Sequence, residues 1–249
     1  MGRGGVPADL RAMDRLGLLR PRESDSRSVL LSLSGGPAVV KEPESIVEWL
    51  YAGEAALTAF LEALKVKSPI TGQHSIRVSR YAAAMAGALN LSQPQVYHLE
   101  RCGLLHDIGK LGISDRVLEK PGDLNPEEWV LIKGHPEIGV RAIETFRVLS
   151  PARLAIAMHH ERFDGSGYPY ALSGYQIPLE ARIVGICDAY DTMTSDRPYR
   201  KALEPDEAVF RLRKGAGTQF DPLLVQVFAT RVVPMLLNSL LQKRSPGLP

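Results

Sequence analysis

Five of the six histidines in this chain stand where a metal ion could use them. His106-Asp107 is the densest pair. His74 precedes it, His135 follows it, and His159-His160 with Asp188 complete the set. Histidine is the commonest metal ligand, and carboxylate oxygens suit harder divalent ions and can bridge two of them. This gathering predicts a metal-dependent hydrolase.

Taken singly, each residue has a plainer alternative. A lone histidine on a buried helix face, such as His74, is more often a hydrogen-bonded core residue. Adjacent helical residues point about 100° apart. His106 and Asp107 therefore grip one ion only where the backbone lets them converge, or the carboxylate bridges to a second ion; a histidine capped by an aspartate is the alternative. His159 and His160 can serve two ions, or one can support the other. Asp188 lies in the apolar run Val184–Tyr190, where a carboxylate needs a cation or a partner. Asp191 can equally accept a hydrogen bond from behind a ligand.

Together, His74, His106, Asp107, His135, His159, His160 and Asp188 are too many for a tetrahedral zinc site. They suffice for two six-coordinate ions sharing a carboxylate. Nitrogen-plus-oxygen sets without sulfur suit Fe, Mn, Ni or Co. Lys110 can bring an ammonium to the charge of a phosphoryl transition state, or be a solvated loop lysine. Arg197 and Arg200 carry guanidinium forks suited to phosphate, or pair at the surface with Asp196 or Glu204. The loop Asp164–Pro169 can fold over a ligand or merely connect. His98 has no partner nearby in sequence and is expected to pack a helix or face solvent.

The elements that must position these residues are helical. Apolar residues recur at helical spacing from Glu44 onward, and Ser68–Gly72 is a turn signal. Helices are expected through Val78–Leu89, Val96–His106, Ala152–His160 and Leu179–Thr194, with starts at Asn125-Pro126, His135-Pro136, Pro205 and Asp221-Pro222. Trp49, Trp129 and Phe60 are expected in the core. Alternation with a period of two is almost absent, so the fold class is all-α. Residues 1–44, rich in Gly, Arg and Ser, form an extension with no recognisable sensor domain; residues 45–249 form one catalytic domain. A formal net charge of +2 gives no support for bulk nucleic-acid binding. Cys102 and Cys187 sit in apolar stretches and are expected as reduced thiols of a cytoplasmic protein. No signal peptide is visible, nor a membrane span: the stretch Leu223–Leu241 is interrupted by Gln226, Arg231, Pro234 and Asn238.

His106-Asp107-Ile-Gly-Lys110, His135-Pro-Glu-Ile-Gly and His159-His160-Glu161-Arg162-Phe-Asp164-Gly-Ser-Gly167-Tyr168-Pro169 resemble the HD-GYP family of HD superfamily phosphohydrolases, in order across roughly residues 44–230. The resemblance implies an HD-domain helical bundle with a two-metal site in its core. It implies hydrolysis of c-di-GMP to pGpG and further to GMP by a metal-bridging hydroxide, or of the related cyclic GMP-AMP. It places His74, His106, Asp107, His135, His159, His160 and Asp188 on the ligands of two divalent ions, Fe or Mn, with Asp107 bridging. Lys110 falls on the lysine at the scissile phosphate, Arg197 and Arg200 on phosphate-holding residues, and Gly167, Tyr168 and Pro169 on the loop that shapes the pocket. Members with three ions carry a Glu four residues before the first histidine; Ile70 stands there and cannot ligate, which favours two. Implied partners are the cyclic dinucleotide and, through the loop, a GGDEF-type cyclase or motility proteins. The leucines of the C-terminal helix, Leu236 to Leu241, are expected on the core or on a second subunit as a homodimer.

Overall fold

A computed structural model describes residues 46–196 and 201–244, with side chains at 53–196 and 201–239. The extension 1–44, the side chain of Trp49, Arg197 and Arg200 lie outside what can be described. The described residues are helical and contain no strand, only the isolated bridges Asp164–Ser173 and Ala216–Phe220. The expected all-α bundle is observed.

Two long helices open the bundle: α1 (Ile46–Lys67) and α2 (Pro69–Ala88). They are parted by a single residue, Ser68, whose hydroxyl accepts from the Thr71 backbone N–H. The sequence reading of Ser68–Gly72 as a turn is corrected here. Ser68 is an N-cap and Pro69 the first helical residue, so the same residues start a helix. Helix α3 (Gln93–Leu105) follows, then a 3-10 turn (Ile108–Gly112), α4 (Asp115–Leu118), α5 (Pro126–Lys133) and α6 (His135–Ile143). Asn125 caps α5, and Glu128 reaches back to the Asn125 N–H. Helix α7 (Arg153–Met158) is shorter than expected: Ala152 belongs to a 3-10 turn (Ser150–Ala152), and His159 and His160 form a turn after it. A long loop leads to α8 (Leu179–Thr194), then α9 (Pro205–Lys214) and α10 (Pro222–Val227). The chain continues through a π-helical segment (Phe228–Val232) into α11 (Val233–Arg244).

The core lies where α2, α3, α7 and α8 meet. Val78 and Met85, Leu99, Cys102 and Leu105, Ile156 and Met158, and Ile183, Ile186 and Cys187 are all buried there, with Phe228 behind them. Phe60 packs against this core and meets Phe146 edge to face. Trp129 does not: it is 49% exposed, and α5 buries none of its residues. Val130 and Leu131 are exposed with it, so α5 lies on the surface and the expectation of a core Trp129 is corrected. Pro222–Ser239 is long and apolar enough to cross a membrane by composition alone, yet its Leu224, Val225, Phe228, Val232 and Val233 are buried against the bundle.

One close approach fixes the site. The 3-10 turn after α3 packs on α6 so tightly that a Cβ on Gly109 would lie 1.8 Å from the His135 carbonyl oxygen. Gly109 thus lets the His106-Asp107 corner reach His135. Gly109→Ala is expected to cost at least about 2 kcal/mol in urea unfolding and to lower bound metal, since the turn and α6 must separate.

Candidate metal centre

Each candidate ligand sits near a helix terminus or on an inward face. His74 is in the second turn of α2, His106 caps the end of α3, and Asp107 opens the 3-10 turn. His135 is the first residue of α6, His159 caps α7, and His160 follows it. Asp188 and Asp191 lie three residues apart on α8. His74, His106, Asp107, His135 and His159 are buried, and Asp188 faces a cavity.

The imidazoles are oriented by their other nitrogens. His106 Nδ1 donates to Gly103 O at 2.8 Å, His135 Nδ1 to Ile132 O at 2.7 Å and His159 Nδ1 to Ile156 O at 3.0 Å. His74 Nδ1 donates to Asp191 Oδ2 at 2.7 Å. Carbonyl oxygens only accept, so in His106, His135 and His159 Nδ1 carries the hydrogen and Nε2 presents a lone pair to the centre. His135 Nε2 and His159 Nε2 then face each other 3.2 Å apart, and the buried His106 Nε2 has no hydrogen-bond partner. Converging, unprotonated nitrogens in a buried site call for a cation.

The donor atoms form three overlapping groups, of which His106, Asp107 and His159 join the other two. His135, His159 and His160 converge on one side, and His74, His106 and Asp188 on the other. Asp107 stands between them. Its Oδ1 lies 3.3 Å from His135 Nε2, and its Oδ2 lies 3.4 Å from His106 Nε2 and 3.7 Å from His74 Nε2. His74 Nε2 is also 3.1 Å from Asp188 Oδ1. Lys110 donates to Asp107 Oδ2 at 2.6 Å. The sequence-predicted residues His74, His106, Asp107, Lys110, His135, His159, His160 and Asp188 are therefore brought together.

Titration follows from this geometry. Burial opposes the charge of Asp107, but Lys110 and His106 outweigh it and hold the carboxyl well below its usual range. Burial pushes His135 down to about 4 and His160 to about 3, and pushes His159 well below its usual value. His74 goes the other way. Burial lowers it, but hydrogen bonds to Asp188 and Asp191 prevail and raise it to about 9.

Several supporting residues were not singled out in the sequence. Arg77, three residues after His74 and one turn along α2, grips Asp191 through Nε at 2.6 Å and Nη2 at 2.9 Å. That fixes the acceptor behind His74. Glu161 is buried and accepts from the backbone N–H groups of Tyr170 at 2.6 Å and Leu172 at 3.0 Å, tying down the loop after the histidine pair. Its place immediately after two candidate ligands was the available signal. The Tyr168 ring stacks on His160, with centroids 4.7 Å apart. Lys133 Nζ stands 5.3 Å from the centre of that ring. Gly167 runs so close to the backbone of Glu161 and Arg162 that a Cβ would lie 2.3 Å from Arg162 N, and Pro169 ends the segment. A cavity of about 560 Å³ opens over His159, His160 and Asp188, walled by the loop, by α8 and by Arg182 and Arg211. His98 touches Cys102 Sγ at 3.6 Å, the helix-packing role expected of it.

The HD domain family model matches residues 59–224. The chain belongs to the HD domain family. HD domain phosphohydrolases are metal-dependent, and the histidine–aspartate clusters described above are able to bind metal. The HD-GYP resemblance is borne out by curated relatives. A cyclic di-GMP phosphodiesterase of Pseudomonas aeruginosa is 40% identical over 69% of this chain and 42% of its own length. A 3'3'-cGAMP-specific phosphodiesterase of Vibrio cholerae is 40% identical over 68% and 37%. A cyclic di-GMP phosphodiesterase response regulator of Xanthomonas campestris is 37% identical over 83% and 58%. The chain spans between 37% and 58% of the length of these relatives. Among solved structures, an HD-GYP-type protein of Bdellovibrio bacteriovorus superposes with a TM-score of 0.55 at 20% identity, over 79% of this chain and 66% of that one. That likeness shows the fold.

Two outcomes are expected. Asp191→Asn weakens the acceptor behind His74 and should lower metal affinity by roughly 10–100-fold, measured by competition with a chelating dye. The metal-free protein should be most stable near pH 6.5. Below that value the unfolded chain takes up protons that folded His135 and His160, held at about 4 and about 3, refuse. Above it, stability contributed by protonated His74 is lost as pH rises through about 9. Unfolding of chelator-treated protein across pH 4–9 checks both limbs.

Proposed function

We propose that the chain is a metal-dependent phosphodiesterase that hydrolyses c-di-GMP to pGpG and onward to GMP. Two divalent ions, Fe or Mn, would be held by His74, His106 and Asp188 on one side and by His135, His159 and His160 on the other, with Asp107 bridging. The observation that carries this reading is the Asp107 carboxylate, whose two oxygens face the two groups separately. Ile70, one turn before His74 and 45% exposed, offers no oxygen for a third ion. Relatives named for c-di-GMP support the substrate. The relative named for cyclic GMP-AMP at equal identity supports that dinucleotide as the second candidate.

Divalent ions bound there would lower the pKa of water and steady the oxygens of an in-line phosphoryl displacement. The chain's own residues supply the rest. Nδ1 anchoring keeps five-membered rings from swinging away from the centre. Lys110, held at the edge of the cluster by Asp107, is placed to stabilise negative charge growing on the non-bridging phosphate oxygens. Tyr168, stacked on His160, and Glu161, which ties the loop, shape the wall against which a nucleotide lies. Arg197 and Arg200 are assigned to phosphate on the sequence resemblance alone. The catalytic unit is taken as residues 45–249. The two buried free cysteines support a reducing, cytoplasmic setting. A GGDEF-type cyclase or motility protein at the loop, and a second copy of the chain at the C-terminal helix, are the proposed macromolecular partners.

Protein loaded anaerobically with Fe or Mn should hydrolyse c-di-GMP, with cyclic GMP-AMP as comparison; no turnover of either would sink the reading. Asp107→Ala should lose both metal and activity. Lys110→Ala should keep its metal and lose roughly 10²–10³ in kcat, measured by chromatography of the nucleotide products.

A further inference from the structure

Resting on the cyclic-dinucleotide reading, we propose that Lys133 is a substrate-binding residue that holds the second, non-scissile phosphate. A cyclic dinucleotide carries two phosphodiesters on opposite sides of one ring, and each bears a negative charge. The metal centre and Lys110 serve one of them. Lys110 is already committed, 2.6 Å from Asp107 Oδ2. The second phosphate needs a cation set to one side of that centre; Arg197 and Arg200, given to phosphate by the sequence resemblance, lie outside the described residues.

Lys133 has the required placement. It ends α5 and lies two residues before His135, so the backbone ties it to the metal centre. Its Nζ is over the Tyr168 ring, and that ring is stacked on His160. Among the described residues no carboxylate pairs with it or with the distant Lys214 of α9, whereas Lys65, Lys67, Lys110, Lys120 and Lys201 each have one. Nor does core packing hold it, since α5 buries no residue. A cation against an aromatic face is held in position while its charge is not neutralised and its N–H donors stay available. The Lys133–Tyr168–His160 stack thus presents an uncommitted ammonium beside the buried histidines.

The test compares two substrates on the metal-loaded protein: c-di-GMP, with two phosphates, and bis(p-nitrophenyl) phosphate, a single diester. Lys133→Ala should raise KM for c-di-GMP roughly tenfold, as expected for loss of a charged hydrogen-bond partner. The penalty on kcat should be small, and the penalty on KM should be at least about fivefold larger for c-di-GMP than for the aryl diester. Lys133→Arg should recover most of the loss, and Lys133→Met, which keeps the stem and removes the charge, should not. Equal penalties on both substrates, or rescue by Met, would show that Lys133 only props Tyr168 and would overturn the proposal. So would a KM for c-di-GMP within about twofold of wild type. Wild-type protein that cleaves the aryl diester but neither cyclic dinucleotide would overturn the substrate reading itself, and Lys133's role with it; that failure is visible before any variant is made.

Discussion

A buried carboxylate with no water around it is costly to ionise unless cations or donors surround it. Asp107 is 2% exposed, yet its surroundings keep it charged. Lys110 donates to one oxygen, and imidazoles approach both. Histidines brought together this way repel one another when protonated, and burial drives His135, His159 and His160 toward the neutral form. The centre therefore combines a fixed negative charge with neutral lone pairs. That combination is able to hold a metal cation. The positions of α2, α3, α6, α7 and α8 make sense as the way to bring these groups to one point.

The convergence is achieved with helix ends more than helix faces. His106, His135 and His159 each sit at a terminus, and their Nδ1 hydrogens are given to carbonyls three residues back. That one hydrogen bond fixes the ring and aims Nε2 inward. His74 is the exception. It lies within α2, where no carbonyl is open, so α8 supplies Asp191 and α2 supplies Arg77 to hold Asp191. Hydrogen bonds to two carboxylates, Asp188 and then Asp191, account for the different titration of His74.

Much of this was legible in the sequence. The seven candidate ligands fall at one point, and α8 has the bounds its apolar spacing predicts. Those features are legible because ligand types and helical periods are local properties of the chain. What was missed depends on tertiary distance. Arg77 and Glu161 look like surface charges until Asp191 and the loop amides come within reach. Trp129 looks like a core residue until α5 proves to bury nothing. Ser68–Gly72 carries turn residues that serve equally as a helix cap, and only the geometry of the following turn separates the two. Apolar composition in Pro222–Ser239 does not distinguish a lipid-facing helix from one packed on a core.

The loop after His160 links the buried centre to the solvent-facing cavity. Glu161 accepts two loop amides, and the crowding at Gly167 leaves no room for a side chain there. These two constraints act within a few residues of the histidine pair, so the loop and the ligands cannot move independently. Tyr168 is thereby set on His160 as a fixed aromatic wall instead of a mobile flap. A wall already in place would need no ordering around a bound ligand, which would lower the entropic cost of binding. It also means that a change at Glu161 or Gly167 is felt at the metal centre through His160, although neither residue offers a donor atom to the ion clusters.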